Sequence, residues 1–325
     1  MKEIINKIKN LVDNNEFYSR CGVNETPIIY SKVLSDICQC ETYLKCENLQ
    51  GTGSFKIRGA TSAILNLPKD KKDKGVITAS SGNHGTGTSA AAKEFGIPVT
   101  VFVPSSISLL KEERIISFGS KIIKVDGDAG FSELIALQES KLQSKTYISP
   151  YNHSDVIAGQ GTIGIEIMDR KPSTDVIIAS VGGGGMISGI ALVAKDINPN
   201  LLIIGAYPEN SPVMKECIEA GEIISVQEKS TLSDGTAGQI DQGSITFDIC
   251  NRYVDRHETV NEIEIASAMK LIKDHHGMII EGAAGVAVAT LIKLGDQLRG
   301  KKVCVVLCGM NVSDDAFESA MTMVS

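Results

Sequence analysis

Residues 176–186 read Val-Ile-Ile-Ala-Ser-Val-Gly-Gly-Gly-Gly-Met. The run before the glycines is typical of a strand buried on both faces of a parallel sheet, and a helix is predicted from about Met186 to Asp196. Glycine permits positive φ and a close approach to a ligand, and N–H groups at a helix start bind anions. The stretch therefore predicts an α/β fold with a phosphate site at Gly182, Gly183, Gly184 and Gly185. The alternative is a flexible turn.

Short β-branched runs alternate with helix-length segments on both sides of this stretch. Such repeated β-α-β units predict parallel sheets covered by helices. The predicted strands are Val76–Ala79, Val99–Val103, Lys121–Val125, Thr146–Ile148, Val176–Val181, Leu201–Ala206 and Lys302–Leu307. The other predicted helices are 1–14, 85–95, 109–118, 131–143, 262–275 and 283–294.

Composition excludes several classes of protein. The chain has 325 residues and a net charge of −7, and its basic run Lys69–Lys74 alternates in sign like a solvated loop, so no nucleic-acid partner is predicted. No apolar stretch reaches the ~18 residues of a membrane span, and the N-terminus lacks the apolar core of a signal peptide. We therefore expect no membrane partner and a cytoplasmic location.

The eight cysteines, at positions 21, 38, 40, 46, 217, 250, 304 and 308, are expected to be reduced. The group Cys38, Cys40 and Cys46 fits no common zinc spacing and has no histidine nearby. Buried or incidental thiols are therefore favoured over a metal site.

Two further segments carry candidate chemistry. Lys56 lies within Gly-Ser-Phe-Lys-Ile-Arg-Gly-Ala at 53–60. Desolvation between apolar neighbours would lower its pKa and make the amine nucleophilic, although a lysine is by default exposed to solvent. Residues 80–84 read Ser-Ser-Gly-Asn-His, between a predicted strand and helix. Their backbone amides can bind a carboxylate, and Asn83 can bond a ring oxygen. The alternative is an ordinary helix N-cap.

These three segments together supply an amine, a phosphate loop and a carboxylate loop. They are the parts that hold pyridoxal phosphate with an amino acid, where the lysine forms a Schiff base with the aldehyde. A competing motif, Gly-Gln-Gly-Thr-Ile-Gly at 159–164, has the glycine spacing of dinucleotide folds. No convincing strand precedes it, so we expect a packing role at a helix start and no NAD.

Together these residues resemble the fold-type II pyridoxal-phosphate enzymes, and among them the serine/threonine dehydratase (threonine ammonia-lyase) and serine racemase family. The resemblance covers the chain from about residue 20 onward. The matching segments are Ser54–Ala60, Ser80–His84, Gly182–Gly185, Ser233–Gly235, Glu281–Gly285 and Cys308–Asn311. It implies a fold like the tryptophan synthase β chain, with two domains that each contain a mostly parallel twisted sheet flanked by helices. Residues 1–63 plus 148–325 would form the large cofactor-binding domain, and residues 64–147 the small substrate-side domain.

The resemblance also implies a role for each site residue. Lys56 would bind the cofactor and remove the α-proton, and Phe55 would pack near the ring. Asn83 would bond the ring oxygen, Cys308 would face the pyridine nitrogen where the family most often has serine, and the amide of Met186 would join the glycines at the phosphate. The substrate carboxylate would be bound by Ser80, Ser81, Gly82, Asn83 and His84.

The implied activity is β-elimination from a β-hydroxy amino acid, foremost L-threonine or L-serine, to give a 2-oxo acid and ammonia. The alternatives are a 3-hydroxyaspartate dehydratase, an amino-acid racemase that uses Lys56 and Ser81, and a cofactor-binding protein without catalysis. Tyr207 and Val213 occupy the positions of the carboxylates in metal-dependent relatives, so no metal is predicted. A homodimer is expected from the family.

Overall fold

The computed structural model describes residues 1–19 and 22–324, which contain two β-sheets surrounded by helices. Cys21 lies outside the described residues, and the seven described cysteines are free. The strands are β1 Ile28–Tyr30, β2 Glu41–Lys45, β3 Val76–Ala79, β4 Val99–Pro104, β5 Lys121–Val125, β6 Thr146–Tyr147, β7 Val176–Ser180, β8 Leu202–Pro208, β9 Arg256–Val260 and β10 Lys302–Val306.

The helices cover both faces of the sheets. They are α1 Lys2–Val12, α2 Asn15–Ser19, α3 Lys32–Cys38, α4 Lys56–Leu65, α5 Lys69–Lys74, α6 Asn83–Glu94, α7 Leu109–Ile116, α8 Ala129–Leu142, α9 Ser154–Arg170, α10 Gly185–Ile197, α11 Val213–Ala220, α12 Ile245–Tyr253, α13 Glu262–His276, α14 Gly282–Leu294 and α15 Asp314–Thr322. No helix in the described part of the chain is long and apolar enough to span a membrane.

The larger sheet has the strand order β1-β2-β10-β7-β8-β9. Every pair in it is parallel except β1 with β2. Strand β7 is buried along its whole length, and α14 packs against it. An apolar side chain at nearly every position of β7 is required because both of its faces lie in the core. Because β7 is held in the core along its whole length, the turn that follows it is anchored at the carboxyl edge of the sheet.

The smaller sheet has the order β5-β4-β3-β6, and all its pairs are parallel. Its four strands fall within residues 64–147, and the six strands of the larger sheet fall outside that range. The α/β class and the two mostly parallel sheets flanked by helices agree with the sequence prediction. The seven predicted strands differ from their observed counterparts by at most two residues at either end, whereas β1, β2 and β9 were not predicted.

Two local predictions were wrong. The Gly159–Gly164 motif lies inside the long helix α9 rather than at a helix start. Its packing role is nevertheless clear, because a Cβ at Gly159 would lie 2.3 Å from the Arg58 carbonyl oxygen and one at Gly161 3.0 Å from the Gly189 carbonyl oxygen. Residues 69–74, predicted as a loop, form the short helix α5, which has no buried residue.

Candidate active site

Lys56 is the first residue of α4. Its Nζ donates a hydrogen bond to the carbonyl oxygen of Pro150 at 2.9 Å and lies 5.2 Å from the ring centroid of Phe55. Burial lowers the pKa of Lys56 to about 8. A neutral amine is therefore available near physiological pH, as nucleophilic lysine chemistry requires.

A buried ion cluster, formed by Lys45, Glu47, Arg58 and Glu166, fixes the helix that begins at Lys56. Arg58 donates from Nε to Glu47 at 2.7 Å and from Nη1 to Glu166 at 2.5 Å. Lys45 also donates to Glu166. Two cations face two carboxylates, so the cluster is neutral as a whole, and buried charges persist when they are paired in this way. Arg58 thus fixes the first turn of α4.

The four glycines form the turn between β7 and α10. Gly184 has φ of +82°, a left-handed conformation that favours glycine. A Cβ at Gly183 would lie 2.4 Å from the ring of Tyr151, and one at Gly182 would lie 2.8 Å from the carbonyl oxygen of Thr236. Packing alone therefore excludes side chains here. Tyr151, which packs against Gly183, directly follows Pro150, whose carbonyl oxygen accepts from Lys56 Nζ. The glycine turn therefore lies close to Lys56.

The segment Ser80–His84 connects β3 to α6, which begins at Asn83. The Gly82 N–H donates to the Ser80 hydroxyl at 3.2 Å, and Ser81 is partly exposed. The side chain of His84 is buried against the carbonyl oxygen of Ile148, at 2.9 Å from Nε2. Burial lowers the pKa of His84 to about 3, so the ring is neutral. Only its backbone N–H lies at the helix start.

Helix α6 also touches the chain at Lys56. A Cβ at Gly87 would lie 3.1 Å from the backbone nitrogen of Ile57 and 3.2 Å from the carbonyl carbon of Lys56. The loop predicted to bind a carboxylate and the candidate base are therefore held side by side by backbone packing.

Cys308 follows β10 and is buried. Its carbonyl oxygen accepts from the Phe55 N–H at 3.0 Å, and its Sγ accepts from the Ser180 hydroxyl at 3.6 Å. The thiol donates to Glu281 Oε1 at 3.8 Å. Burial, with a contribution from Glu281, raises the pKa of Cys308 well above its usual value. The group at this position is therefore a neutral thiol.

Glu281 is a site residue that the sequence predictions named only as part of a motif. Its carboxylate oxygens accept from Asn83 Nδ2 at 3.0 and 2.9 Å and from the Asn311 N–H at 3.1 Å. Asn311 Nδ2 in turn donates to Asn83 Oδ1 at 2.6 Å, and Arg114 Nη1 donates to Asn311 Oδ1 at 2.6 Å. Burial raises the pKa of Glu281 to about 7.

A second acid, Glu133, also interacts with Lys56. Glu133 accepts from the Tyr147 hydroxyl at 2.7 Å, and burial raises the pKa of Glu133. The backbone N–H of Asp241 donates to the Tyr151 hydroxyl at 2.9 Å. Glu133 interacts electrostatically with Lys56 and with Asp241, and Glu281 also acts on the Lys56 amine. The field around the amine is therefore negative.

The structure thus brings the predicted segments together. Lys56 is linked to the glycine turn because it bonds to Pro150 while Tyr151 packs on Gly183. Asn83 and Cys308 are linked because both donate to Glu281. Two signals in the sequence could have indicated these extra site residues. Glu281 directly precedes a helix of small, buried residues, and Asn311 ends the Cys308–Asn311 motif. Arg114 and Glu133 lie on predicted amphipathic helices, where nothing distinguishes them from exposed charges.

Comparison with known proteins decides the family. A family model described as pyridoxal-phosphate dependent enzyme matches residues 20–309. The chain belongs to this family. The enzyme is 40% identical over 293 residues to an L-threonine ammonia-lyase from Thermotoga maritima, and the match covers 89% of this chain and 72% of that protein.

Two other relatives extend the comparison. The enzyme is 34% identical over 290 residues to an L-threo-3-hydroxyaspartate ammonia-lyase from Saccharomyces cerevisiae, with 89% of each chain covered. The structure of maize serine racemase superimposes with a TM-score of 0.90 at 29% identity, covering 98% of this chain and 96% of that one. The enzyme therefore depends on pyridoxal phosphate and has the fold-type II architecture predicted from its motifs.

Proposed function

We propose that the enzyme is an ammonia-lyase that eliminates the hydroxyl of a β-hydroxy amino acid, with L-threonine and L-serine as the leading substrates. The observation that carries the proposal is the desolvated amine of Lys56, set between a glycine turn and a helix start that can each bind an anion. The relationship to an L-threonine ammonia-lyase supports the substrate class.

The residues present fit pyridoxal phosphate. Lys56 offers an amine to its aldehyde, and Gly182–Gly185 with the amide of Met186 offer N–H groups at the start of a 13-residue helix. Phe55, Asn83 and Cys308 offer an apolar face, an amide and a neutral thiol to the ring. When bound, the cofactor withdraws electrons from the α-carbon of an amino acid and stabilises the charge left by proton removal.

Lys56 Nζ acts as the base for the α-proton. Its lowered pKa keeps a fraction of the amine neutral at pH 7 to 8, and the neutral form can accept a proton. The Pro150 carbonyl orients Nζ. The cation on Nζ after proton transfer is stabilised by the nearby carboxylates of Glu281 and Glu133.

The substrate carboxylate is bound at the start of α6 by Ser80–His84. N–H groups in the first turn of a helix have no intrahelical acceptor and carry the positive end of the helix dipole. His84 contributes through its backbone, because its neutral ring is bonded to Ile148. This arrangement selects α-amino acids by their carboxylate.

The acids around Lys56 distinguish between substrate side chains. Glu133, whose charge acts on the Lys56 amine, disfavours a second carboxylate there, which places L-threonine and L-serine ahead of 3-hydroxyaspartate. A racemase remains the second candidate because Ser81, partly exposed in the carboxylate loop, carries a hydroxyl that could serve as a base opposite Lys56.

The test is incubation of the cofactor-loaded protein with L-threonine, L-serine and threo-3-hydroxyaspartate, followed by oxo-acid and chiral amino-acid analysis. Oxo acid without D-isomer supports the lyase and identifies its preferred substrate. D-isomer forming faster than oxo acid, and abolished by Ser81→Ala, would make the enzyme a racemase. Neither product would indicate another substrate or a cofactor-binding protein without catalysis.

We further propose a homodimer, a cytoplasmic location, and the domain division 1–63 plus 148–325 and 64–147. The division is supported by the distribution of strands between the two sheets. The free state of the seven described cysteines is compatible with a reducing compartment. Light scattering of the purified protein, limited proteolysis and fractionation of the source cells test these three proposals separately.

A further inference from the structure

Glu281 contacts both groups that the proposed function places at the cofactor ring. One of its oxygens accepts from Asn83 and from the Cys308 thiol, and the other accepts from Asn83 and from the Asn311 backbone. A Cβ at Gly309 would lie 2.7 Å from the carboxyl carbon, so the backbone confines the carboxyl on that side. The side chain is only 3% exposed.

The charged and titratable groups that face Glu281 come from several elements. Asp234 raises its pKa and Lys56 lowers it, while the Arg114 guanidinium and the Cys308 thiol interact with it electrostatically. Burial is the largest influence. The carboxyl therefore changes between a neutral and an ionised form near neutral pH.

The two forms of Glu281 impose different hydrogen bonds. The ionised carboxylate only accepts, so it draws Nδ2 of Asn83 and the thiol hydrogen of Cys308 toward itself. The amide of Asn83 is then fixed, since its Oδ1 already accepts from Asn311. The neutral acid has one fewer acceptor site and a hydrogen to donate, which permits the amide to turn and releases the thiol hydrogen.

We propose that Glu281 is a positioning residue that orients Asn83 and Cys308 toward the cofactor ring, and that its ionisation decides where the thiol hydrogen of Cys308 points. The inference rests on the proposed placement of the cofactor.

The test compares holoenzymes carrying wild-type Glu281, Glu281→Gln and Glu281→Asp. We expect Glu281→Gln to weaken pyridoxal phosphate binding by roughly tenfold, because hydrogen bonds to a charged group become neutral ones. The visible absorbance of the bound cofactor should change with pH in the wild type, with an inflection near pH 7. The inflection should vanish in Glu281→Gln and persist in Glu281→Asp, which keeps the charge.

Asp234→Asn provides a variant that leaves Glu281 in place. The Asp234 side chain is 70% exposed, so the substitution is compatible with the fold. It removes a negative charge that raises the pKa of Glu281. The inflection should therefore move to lower pH, while cofactor affinity at about pH 8 stays unchanged because Glu281 is ionised there in both proteins.

An inflection that survives in Glu281→Gln, or that does not move in Asp234→Asn, overturns the inference. Wild-type affinity in Glu281→Gln also overturns it. If the wild-type protein binds no pyridoxal phosphate, the proposed function fails first. If it binds the cofactor with these responses but does not turn over β-hydroxy amino acids, the substrate assignment fails and the role of Glu281 stands.

Discussion

Two buried carboxylate sites near the start of α4 differ in their partners. In the ion cluster of Lys45, Glu47, Arg58 and Glu166, two cations balance two anions. Although burial alone would raise it, the pKa of Glu47 is held below its usual value by Arg58 and Lys45. Glu281 has mainly neutral partners, and burial raises its pKa to about 7.

The difference separates a structural site from a responsive one. Arg58 and Lys45 favour the ionised form of Glu47, so the ion cluster holds the first turn of α4 through paired charges. A carboxyl with neutral partners exchanges its proton near the working pH, and its hydrogen bonds change with it. The ion cluster thus fixes the helix that begins at Lys56, whereas Glu281 can change the hydrogen bonds of Asn83 and Cys308.

Lys56→Ala removes the first side chain of α4, which lies near both sites, and it should have the largest effect on turnover. It should reduce turnover on the preferred substrate at least ~10³-fold, since it removes both the proposed base and the amine that would bind the cofactor aldehyde. The free energy of unfolding should change little because the lost amine is poorly solvated already. Lys141→Ala, an exposed lysine on α8, is the matched control. Turnover within tenfold of wild type would remove Lys56 from the proposed role.

Arg58→Ala should be the strongest change in stability. It leaves Glu47 and Glu166 facing only Lys45, and breaking a buried ion network costs about 3–5 kcal/mol. Urea unfolding followed by circular dichroism is the measurement, since the chain has no tryptophan. Arg170→Ala removes an exposed ion pair with Glu25 and should cost no more than about 1 kcal/mol. Equal losses in the two variants would contradict a special role for the ion cluster.

The pH dependence of stability should separate Glu281 from the ion cluster. The pKa of Glu281 in the folded protein, about 7, lies above its ordinary value of 4.5. Its contribution is therefore present below about pH 4.5 and lost as pH rises through 7. At about 1.4 kcal/mol per pKa unit, this loss is on the order of 3 kcal/mol. The lowered pKa of Glu47 has the opposite sign and acts at acid pH.

Wild type and Glu281→Gln are therefore compared by urea unfolding at about pH 5 and pH 8, at one saturating cofactor concentration. Wild type should lose stability relative to the variant between the two values. A constant difference would show that Glu281 does not titrate in this interval.

Treatment with a chelator should have the smallest effect. Within residues 1–19 and 22–324, no group of three or more His, Cys, Asp or Glu side chains is placed to hold a metal ion. Tyr207, one of the two residues on which the prediction of no metal rests, is buried and its hydroxyl lies 2.7 Å from His257 Nδ1. Oxo-acid formation should be unchanged by the chelator and by added magnesium. A strong loss that magnesium restores would reveal a metal site elsewhere.

The elements that could be predicted from the sequence are those whose residue pattern alone determines their structure. Strand β7 was predictable because nearly every residue in it is apolar, and α10 because its glycine-rich start follows that strand. Strand β9 reads Arg-His-Glu-Thr-Val and lies at an edge of its sheet, so its polarity concealed it. The glycines of α9 were expected at a helix start because their spacing matches that of a glycine-rich loop, but they lie inside the helix and let it pack closely on α4 and α10.

The site was predictable to a similar extent. The residues of the contiguous motifs were found, because each motif has its own backbone chemistry. The contact between Asn83 and Glu281 joins residues 198 positions apart, and Arg114 reaches Asn311 from a helix with no distinguishing signal. Hydrogen bonds of this kind depend on the packing of the two sheets, which local patterns do not encode.

The absence of a side chain at Gly87 has a mechanical consequence. Since a Cβ at Gly87 would lie only 3.1 Å from the backbone nitrogen of Ile57, α6 packs directly against the chain at Lys56 and Ile57. The distance between the start of α6 and the backbone of Lys56 is therefore set when the chain folds.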